Sequence, residues 1–223
     1  MKLSVIVPAL DEERSIARAL ASAAEADERI VVDGGSRDCT ASIAEATGAT
    51  VVQGPRGRGL QQQLGADRAT GDVLLFLHAD SVLPPGFRAS VLAGLAEPGV
   101  CWGRFDLRFD EAGTLLRLIA WLISTRSRMM RVATGDQAIF VTRAAFERVG
   151  GFRERQLFED LDLTRRLKRE GMMMIPPVPV VTSSRRWRND GTLRTTLLMW
   201  GLKALYLSGV PAERLAGYYR RAR

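Results

Sequence analysis

Four short apolar segments alternate with amphipathic segments over the first 80 residues, and this order limits the possible folds more than any other feature. The apolar segments, at 2–7, 29–32, 49–52 and 72–77, predict strands, and the intervening residues 14–26, 40–47 and 60–69 predict helices. The first and last apolar segments show no polar alternation, which is typical of strands buried on both faces of a parallel sheet. The sequence therefore predicts an α/β fold with a mainly parallel central sheet and flanking helices.

Polar residues follow two of these predicted strands. Asp33 comes after the second strand and Asp80 after the fourth. The carboxyl ends of parallel strands meet at one edge of the sheet, where ligands bind in folds of this class. Each aspartate alone is more typical of a turn or a helix cap than of a ligand-binding residue. The glycine-rich loop at 54–59 brings Arg58 toward the same edge, where its charge would suit a phosphate.

Asp80 has the chemistry of a ligand for a divalent cation. A hard cation that also holds a diphosphate takes its remaining oxygen ligands from phosphate and water, so one or two protein carboxylates suffice. His78, the only histidine of the chain, lies two residues earlier. A lone histidine serves a structural purpose at least as often as it serves as a ligand, and both interpretations of His78 remain open.

The net charge of +7 is concentrated at the C-terminus. Residues 183–223 contain nine Arg and Lys against Asp190 and Glu213, so the rest of the chain is neutral. This segment suits phosphates, anionic lipids or a solvated surface, and no nucleic-acid-binding module accompanies it. Cys39 and Cys101 form neither a metal-type pair nor a disulfide framework, so we expect a cytoplasmic protein, with the inner face of the membrane as an alternative.

The pattern of the second half predicts further elements. Helices are predicted at 87–96, 113–124, 143–149, 158–170 and 192–208, and strands at 101–109 and 135–141. Residues 125–131 predict a loop or helix end. A last strand begins at 172–175, and the prolines that follow it favour an edge position. No apolar run reaches the roughly 20 residues that a membrane span requires, and the early proline at residue 8 argues against an export signal.

Five segments resemble the family 2 glycosyltransferases, which have the GT-A fold, and they occur in that family's order. They are SVIVPALDEE at 4–13, VDGGSRDCT at 32–40, GDVLLFLHAD at 71–80, GDQAIFV at 135–141 and FEDLDL at 158–163. Each segment is weakly specific alone, but the five in this order are strong together, and the resemblance extends over nearly the whole chain. The closest resemblance is to the subgroup called rSAM/selenodomain-associated transferase 2, or arsenosugar biosynthesis glycosyltransferases. The segments LHAD at 77–80, GDQ at 135–137, ED at 159–160 and SRRW at 184–187 carry it.

This resemblance implies an inverting transferase that moves a sugar from a nucleotide-diphosphate sugar, most commonly a UDP-sugar, to an acceptor hydroxyl. Asp160 would be the catalytic base, and Asp80 would bind Mn²⁺ or Mg²⁺. The implied donor-binding residues are Pro8, Ala9, Glu12, Asp33, Arg58, Gln63, His78, Ala79, Asp80 and Arg186. The implied acceptor-binding residues are Gly135, Asp136, Gln137, Glu159 and Trp187. The acceptor itself, small or lipid-linked, and the oligomeric state are left open.

The resemblance also divides the chain. Residues 1–182 would form the transferase domain, with a nucleotide-sugar-binding half at 1–100 and an acceptor half at 101–182. Residues 183–223 would form a basic helical extension. The apolar helix predicted at 192–208 suits either packing on the domain or peripheral membrane contact through 192–223.

Three positions depart from the family pattern. His78 occupies the first position of the family's Asp-x-Asp motif, which leaves metal dependence open. Ser183 replaces the glutamine of the Gln-x-x-Arg-Trp motif of processive synthases, which argues against polymerisation. Trp187 suits either a wall for an acceptor sugar or core packing.

Other classes of protein fit the sequence less well. Nucleotidyltransferases and nicotinamide-binding domains need a glycine-rich motif after the first strand, and residues 8–11 contain none. A catalytically degenerate protein that binds a nucleotide sugar or an anionic lipid remains the non-enzyme alternative, and Asp160 argues against it.

Overall fold

The computed structural model describes residues 1–111, 113–153, 157–189 and 191–221, without the side chains of residues 186, 193, 207, 213 and 219–221. The described residues form ten strands. These are β1 (Leu3–Ala9), β2 (Glu28–Asp33), β3 (Thr50–Gln53), β4 (Val73–Phe76), β5 (Ser81–Val82), β6 (Val100–Gly103), β7 (Leu107–Phe109), β8 (Phe140–Thr142), β9 (Met172–Met174) and β10 (Val180–Thr182). The helices are α1 (Ile16–Ser22), α2 (Thr40–Ala46), α3 (Arg58–Arg68), α4 (Phe87–Leu95), α5 (Thr114–Met130), α6 (Arg143–Arg148), α7 (Glu159–Leu167), α8 (Arg185–Asn189), α9 (Thr192–Leu207) and α10 (Ala212–Arg221), with a 3-10 turn at Gly135–Gln137.

Seven strands form the central sheet, in the order β3-β2-β1-β4-β8-β6-β9. The neighbours β3, β2, β1 and β4 are parallel, and β8 runs antiparallel to both β4 and β6. The strands β5, β10 and β7 form a small second sheet. The prediction of a mainly parallel sheet with flanking helices is confirmed, and β9 lies at the sheet edge as the prolines after it predicted.

The alternation of side chains along β1 builds a core on each face of the sheet. Val5 and Val7 point into a cluster with α1, α2, α4 and α5, whereas Ile6 points into a cluster with α3, α6 and α7. All seven residues of β1 are buried, as the uninterrupted apolar pattern predicted. On the second face, a Cβ at Gly65 of α3 would collide with Ile6, so glycine is required for this close approach of helix and strand.

Two predictions for the second half need correction, and for a third segment the structure decides between two alternatives. The segment 101–109 is two strands in different sheets because the buried Arg104 turns the chain and donates to the carbonyls of Phe105 and Ser124. Residues 125–130 form the end of α5, as in the helix-end alternative, and there the buried Ser127 donates to Gln137 at 2.7 Å. Residues 135–137 are not a strand, since Thr134 and Gln137 form a reciprocal capping box that closes a 3-10 turn.

A third apolar cluster joins the C-terminal helices to α7. Leu202 of α9 and Leu215 of α10 are almost fully buried against Phe158 and Leu161. Other apolar residues of α9 are exposed, Leu197 at 70%. Packing therefore accounts for one side of α9. Within the described residues, no helix combines the length and apolar composition needed to cross a membrane.

Candidate active site

The loops after β1 and β2 are joined into one surface at the carboxyl edge of the sheet. The backbone N–H of Asp11 donates to the Ser36 hydroxyl at 2.9 Å, and the N–H of Arg37 donates back to the Asp11 carboxylate at 2.8 Å. The N–H of Glu12 donates to Thr40 Oγ1 at 2.8 Å. These reciprocal bonds fix the segment that contains Pro8, Ala9 and Glu12 against the turn that follows β2.

Asp33 is 2% exposed and shapes the turn after its own strand. Its carboxylate accepts hydrogen bonds from the backbone N–H groups of Gly35 and Ser36 at 3.1–3.3 Å and from the Ser36 hydroxyl. The turn-cap interpretation of Asp33 is thus realised in the structure. Its position beside Ala9, its partner in the sheet, still brings it to the predicted edge.

Gln61, which sequence reasoning missed, ties the two strand ends together. Its buried side-chain amide donates to the carbonyl of Ala9 at 2.9 Å and to that of Val32 at 2.8 Å. The run of three glutamines at 61–63 was the only sequence signal, and the sequence does not show which of them faces the sheet. In the structure Gln61, and not Gln63, contacts the two strand ends. Gln63 accepts from the Phe152 N–H at 2.7 Å and donates to Asp67 at 2.8 Å, on the side of α3 next to Gly151.

The segment of His78, Ala79 and Asp80 follows β4 at the same edge. Burial raises the pKa of the Asp80 carboxyl, and the nearby carboxylate of Glu12 raises it further, while the guanidinium groups of Arg185 and Arg58 lower it. Two acidic groups and two cations therefore act on one another at this edge. This is the charge arrangement expected where a cation and a polyphosphate bind together.

Arg185 is a second residue that sequence reasoning missed. Its guanidinium forms an ion pair with Glu12, at 3.0 and 3.1 Å to the two carboxylate oxygens. The sequence singled out its neighbour Arg186, whose side chain lies outside the described residues. The Ser-Ser-Arg-Arg-Trp segment was the sequence signal, but the pattern does not show that Arg185 pairs with Glu12. Trp187 packs edge to face on Phe109, with ring centroids 5.4 Å apart, as in the core-packing alternative.

His78 is neutral and directed at the 3-10 turn. Burial, together with the charge of Arg58, lowers the pKa of His78 to about 3, and Asp136 opposes that shift. Its Nε2 atom is buried, and no described residue forms a hydrogen bond with it. The position that a Cβ would occupy on Gly135 is 2.5 Å from this Nε2 and 3.6 Å from Asp160 Oδ2. Gly135 therefore lies between the strand-end motif and the acidic pair, which the fold brings face to face.

Asp160 lies in the first turn of α7 and is fixed by two backbone donors. The N–H of Gly135 donates to its Oδ2 and the N–H of Leu161 to its Oδ1, both at 2.6 Å. Burial raises the pKa of Asp160, whereas the bond from Gly135 and the charge of Lys203 lower it. The carboxylate is thus held in one orientation and kept more basic than an exposed aspartate.

Glu159 is the more deeply buried member of the acidic pair. Burial and the adjacent charge of Asp160 raise the pKa of Glu159 to about 7, against the opposing influence of Arg58. Arg58, at the start of α3, therefore acts electrostatically on Glu159, His78 and Asp80 alike. The predicted placement of Arg58 at this edge agrees with the structure.

Phe158, the residue before the acidic pair, has a strained backbone conformation and packs against the C-terminal helices. Phe158 has φ +64°, a left-handed conformation that costs an aromatic residue on the order of 1–3 kcal/mol. Its buried ring packs on Tyr206 of α9, with centroids 4.9 Å apart. Lys203 of the same helix acts on Asp160. No sequence motif signalled this contribution of α9 to the site.

The 3-10 turn supplies the remaining predicted acceptor residues. Asp136 is half-buried, accepts a bond from Thr134 and lies near Arg126 of α5. Gln137 is fully buried, and its Oε1 accepts from the Ser127 hydroxyl and from the Thr134 N–H at 3.2 Å. Gln137 thus stabilises the turn from its buried side, whereas Asp136 remains partly exposed.

The residues at this edge fit a divalent cation only with help from a ligand. Within the described part of the chain, no group of three His, Cys, Asp or Glu side chains forms a protein-only metal site. This edge supplies few protein atoms that could ligate a cation. They are the Asp80 carboxylate, the nearby Glu12 carboxylate and His78 Nε2, which has no hydrogen-bond partner among the described residues. A cation that shares its coordination with a diphosphate and water needs only one or two protein oxygens, so this set fits.

Comparison with known proteins agrees with this geometry. The family model described as glycosyl transferase family 2 matches residues 4–155. Uncharacterized glycosyltransferases of Mycobacterium bovis and Mycobacterium tuberculosis are 34% identical over 94 residues, which are 42% of this chain and 43% of those proteins. The matched region is therefore less than half of the length of these relatives.

Solved structures share the fold. Staphylococcus aureus TarS 1-349 has a TM-score of 0.68 at 20% identity, over 89% of this chain and 66% of that one. The mannosyltransferase PcManGT of Pyrobaculum calidifontis, in complex with GDP-Man and Mn²⁺, has a TM-score of 0.66 at 23% identity, over 82% and 56%. At these identities the likeness shows the fold alone, which is the predicted GT-A fold. With the family model matching well over half of its residues, the chain belongs to glycosyl transferase family 2.

Proposed function

We propose that this chain is an inverting glycosyltransferase that uses a UDP-sugar and a divalent cation, with Asp160 as the catalytic base. The resemblance to the rSAM-associated subgroup remains a prediction and names no acceptor. The single observation that carries the proposal is the position of Gly135, with His78 on one side and Asp160 on the other. Because this glycine has no side chain, the strand-end motif and the acidic pair approach each other closely there.

The donor nucleotide would occupy the edge formed by the loops after β1 and β2. Pro8, Ala9 and Asp33 line this edge, and Gln61 holds its two strand ends together. The S. aureus TarS structures with UDP and with UDP-GlcNAc favour uridine as the base. The diphosphate would then lie between Asp80 and the cation Arg58, which already interact electrostatically.

Asp80 would hold Mn²⁺ or Mg²⁺. When bound there with the diphosphate, the cation would neutralise negative charge on the leaving nucleotide. The P. calidifontis mannosyltransferase was solved with Mn²⁺, which supports testing this ion first. Arg58 would add its positive charge on the same side of the crevice.

The chemistry would be a single displacement. Asp160 accepts the proton of an acceptor hydroxyl while the hydroxyl oxygen forms a bond to the anomeric carbon. The bond between that carbon and the phosphate oxygen breaks, and the nucleoside diphosphate leaves with the electron pair. Attack from the opposite face inverts the anomeric configuration. The bonds from Gly135 and Leu161 fix the orientation of the base, and its raised pKa favours proton transfer near neutral pH.

A thermal-shift panel tests the donor half of this proposal. UDP, GDP, CDP, dTDP and their sugars are each added with and without Mn²⁺ or Mg²⁺. A ligand at 100 times its dissociation constant stabilises a protein by about 2.7 kcal/mol. We expect a metal-dependent shift with uridine nucleotides that is lost in Asp80→Ala and kept in Asp72→Ala, an exposed aspartate before β4.

The non-enzyme alternative makes a different prediction. A degenerate binder would show the same nucleotide shift but no release of sugar from the donor, and Asp160→Asn would then behave like the wild type. An absence of shifts with every nucleotide would instead contradict the donor assignment.

A further inference from the structure

A basic cavity lies beside the acidic pair, outside the donor edge. It has a volume of about 520 Å³, is open to solvent, and lies between the end of α5 and residues 161–169, which include most of α7. Five cationic side chains and one acid line it, above an apolar floor that includes Leu161. The cations are Arg126, Arg165, Arg166, Lys168 and Arg169.

Two of these cations already have structural partners. Arg166 donates to the Asp162 carboxylate at 2.8 and 3.1 Å and to the carbonyls of Val149 and Gly151. The Lys168 ammonium donates to the carbonyl of Met130 at 2.9 Å, which connects α7 to the end of α5. These two residues shape the cavity, and their charges are largely committed.

The other three cations are less committed. Arg165 of α7 and Arg169, in the turn that follows this helix, are exposed, and the structure shows no ion pair between either guanidinium and a described residue. Their like charges line the same cavity and repel each other, a cost that a bound anion would offset. Arg126 is half-buried, and burial lowers its pKa while Asp136 and Asp160 oppose that shift.

Arg126 therefore connects the cavity with the catalytic crevice. It lines the cavity and acts electrostatically on Asp160, which precedes the cavity residues Leu161 and Asp162 in α7. A molecule that fills the cavity would contact Arg126, whose guanidinium acts on the carboxylate that the proposed function uses as base. The volume is in the range of about 300–1,000 Å³ typical of small-molecule sites, so it holds more than one small ion.

We propose that this cavity binds a phosphate group of the acceptor through Arg126, Arg165 and Arg169 and so brings the acceptor hydroxyl to Asp160. This inference rests on the proposed function. Guanidinium groups match phosphate in geometry and charge, and three of them suit a dianion better than a single carboxylate. The phosphate could belong to a soluble ester or to a lipid. The exposed Leu118, Trp121 and Met129 of α5, near Arg126 in sequence, are the reason to test the lipid source.

The first experiment measures phosphate binding without nucleotide or metal. Calorimetric titrations with inorganic phosphate and with glycerol 3-phosphate are made on the wild type, on Arg165→Gln/Arg169→Gln and on Arg18→Gln/Arg68→Gln. The last variant removes two exposed arginines elsewhere and serves as the matched control. We expect the cavity variant to bind both probes at least about tenfold more weakly, the effect of losing roughly one charge-assisted hydrogen bond. Equal affinity in all three proteins would overturn the inference.

Two further arms separate the sources of phosphate and the two proposals. Flotation with phosphatidylcholine vesicles, with and without phosphatidic acid, identifies a lipid phosphate if binding requires phosphatidic acid and is lost in the cavity variant. If glycerol 3-phosphate binds and vesicles do not, the acceptor is a soluble ester. Asp80→Ala should keep phosphate binding, and the cavity variant should keep the UDP shift, so either proposal can fail alone. Failure of every phosphate probe to bind the wild type would also overturn the inference.

Discussion

Replacing the buried Glu159 with glutamine should stabilise the protein in a pH-dependent way. Glu159 begins α7, is 7% exposed and lies beside the carboxylate of Asp160. Burial and Asp160 raise its pKa from 4.5 to about 7. Glutamine has nearly the same shape but no charge to bury, so the exchange removes the electrostatic cost and leaves the packing in place.

The magnitude follows from the difference between the two pKa values. Between pH 4.5 and about 7 the folded state keeps the Glu159 proton that the unfolded state has released, so the free energy of unfolding falls as pH rises. Each pH unit corresponds to 1.36 kcal/mol, so the loss over this interval is about 3 kcal/mol. Below pH 4.5 both states are protonated and the loss is absent, whereas above pH 7 it is complete.

Urea denaturation at pH 4.5 and pH 8 measures this directly. We expect the difference in unfolding free energy between Glu159→Gln and the wild type to be about 3 kcal/mol more favourable to the variant at pH 8. Glu45→Gln, at an exposed position of α2, controls for the exchange itself. A difference that is the same at both pH values would refute the claim that Glu159 is buried with a raised pKa.

Three further predictions concern packing around the site. Gly135→Ala places a methyl group against His78, which should cost about 1–3 kcal/mol and weaken UDP binding; unchanged melting and binding would contradict the placement of that turn. Gln61→Leu removes the side-chain donor that joins two buried carbonyls, of which that of Ala9 still accepts from the Gly34 N–H, so urea denaturation should show a loss of about 1–3 kcal/mol, and a neutral variant would refute the proposed link between the strand ends. Leu215→Ala, at a 1%-exposed position, should cost about 2–5 kcal/mol or release the C-terminal helices to limited proteolysis; wild-type behaviour in both assays would show that the third cluster is not formed.

The first half of the fold could be predicted because its signals are local. The uninterrupted apolar segment of β1, the acids after it and the strand-end Asp80 each occur within a few residues. The corrections in the second half all have long-range causes. Arg104 turns the chain through a carbonyl 20 residues away, and the 3-10 turn depends on Ser127 of another helix. Local hydrophobicity patterns do not predict such contacts between side chains that are distant in sequence.

The motifs predicted which segments form the candidate site, but not which side chains of those segments point toward it. Asp160 and Asp80 stand in recognisable segments, and the fold brings those segments together at Gly135. Gln61 and Arg185 were missed because each lies beside residues of the same type, and the sequence does not show that Gln61 contacts the strand ends or that Arg185 pairs with Glu12. The contribution of Lys203 was invisible because it depends on how α9 packs on α7.

Turnover by Asp160→Asn tests the central claim most directly. Release of sugar from the preferred donor, or its transfer once an acceptor is known, is measured for wild type and variant, and nucleotide binding is measured on the same preparations. Asparagine keeps an oxygen for the Gly135 N–H but cannot accept the acceptor proton, so we expect unchanged binding and a loss of turnover of about 10²–10⁴-fold. Turnover by Asp160→Asn at the wild-type rate would contradict the assignment of Asp160 as the catalytic base.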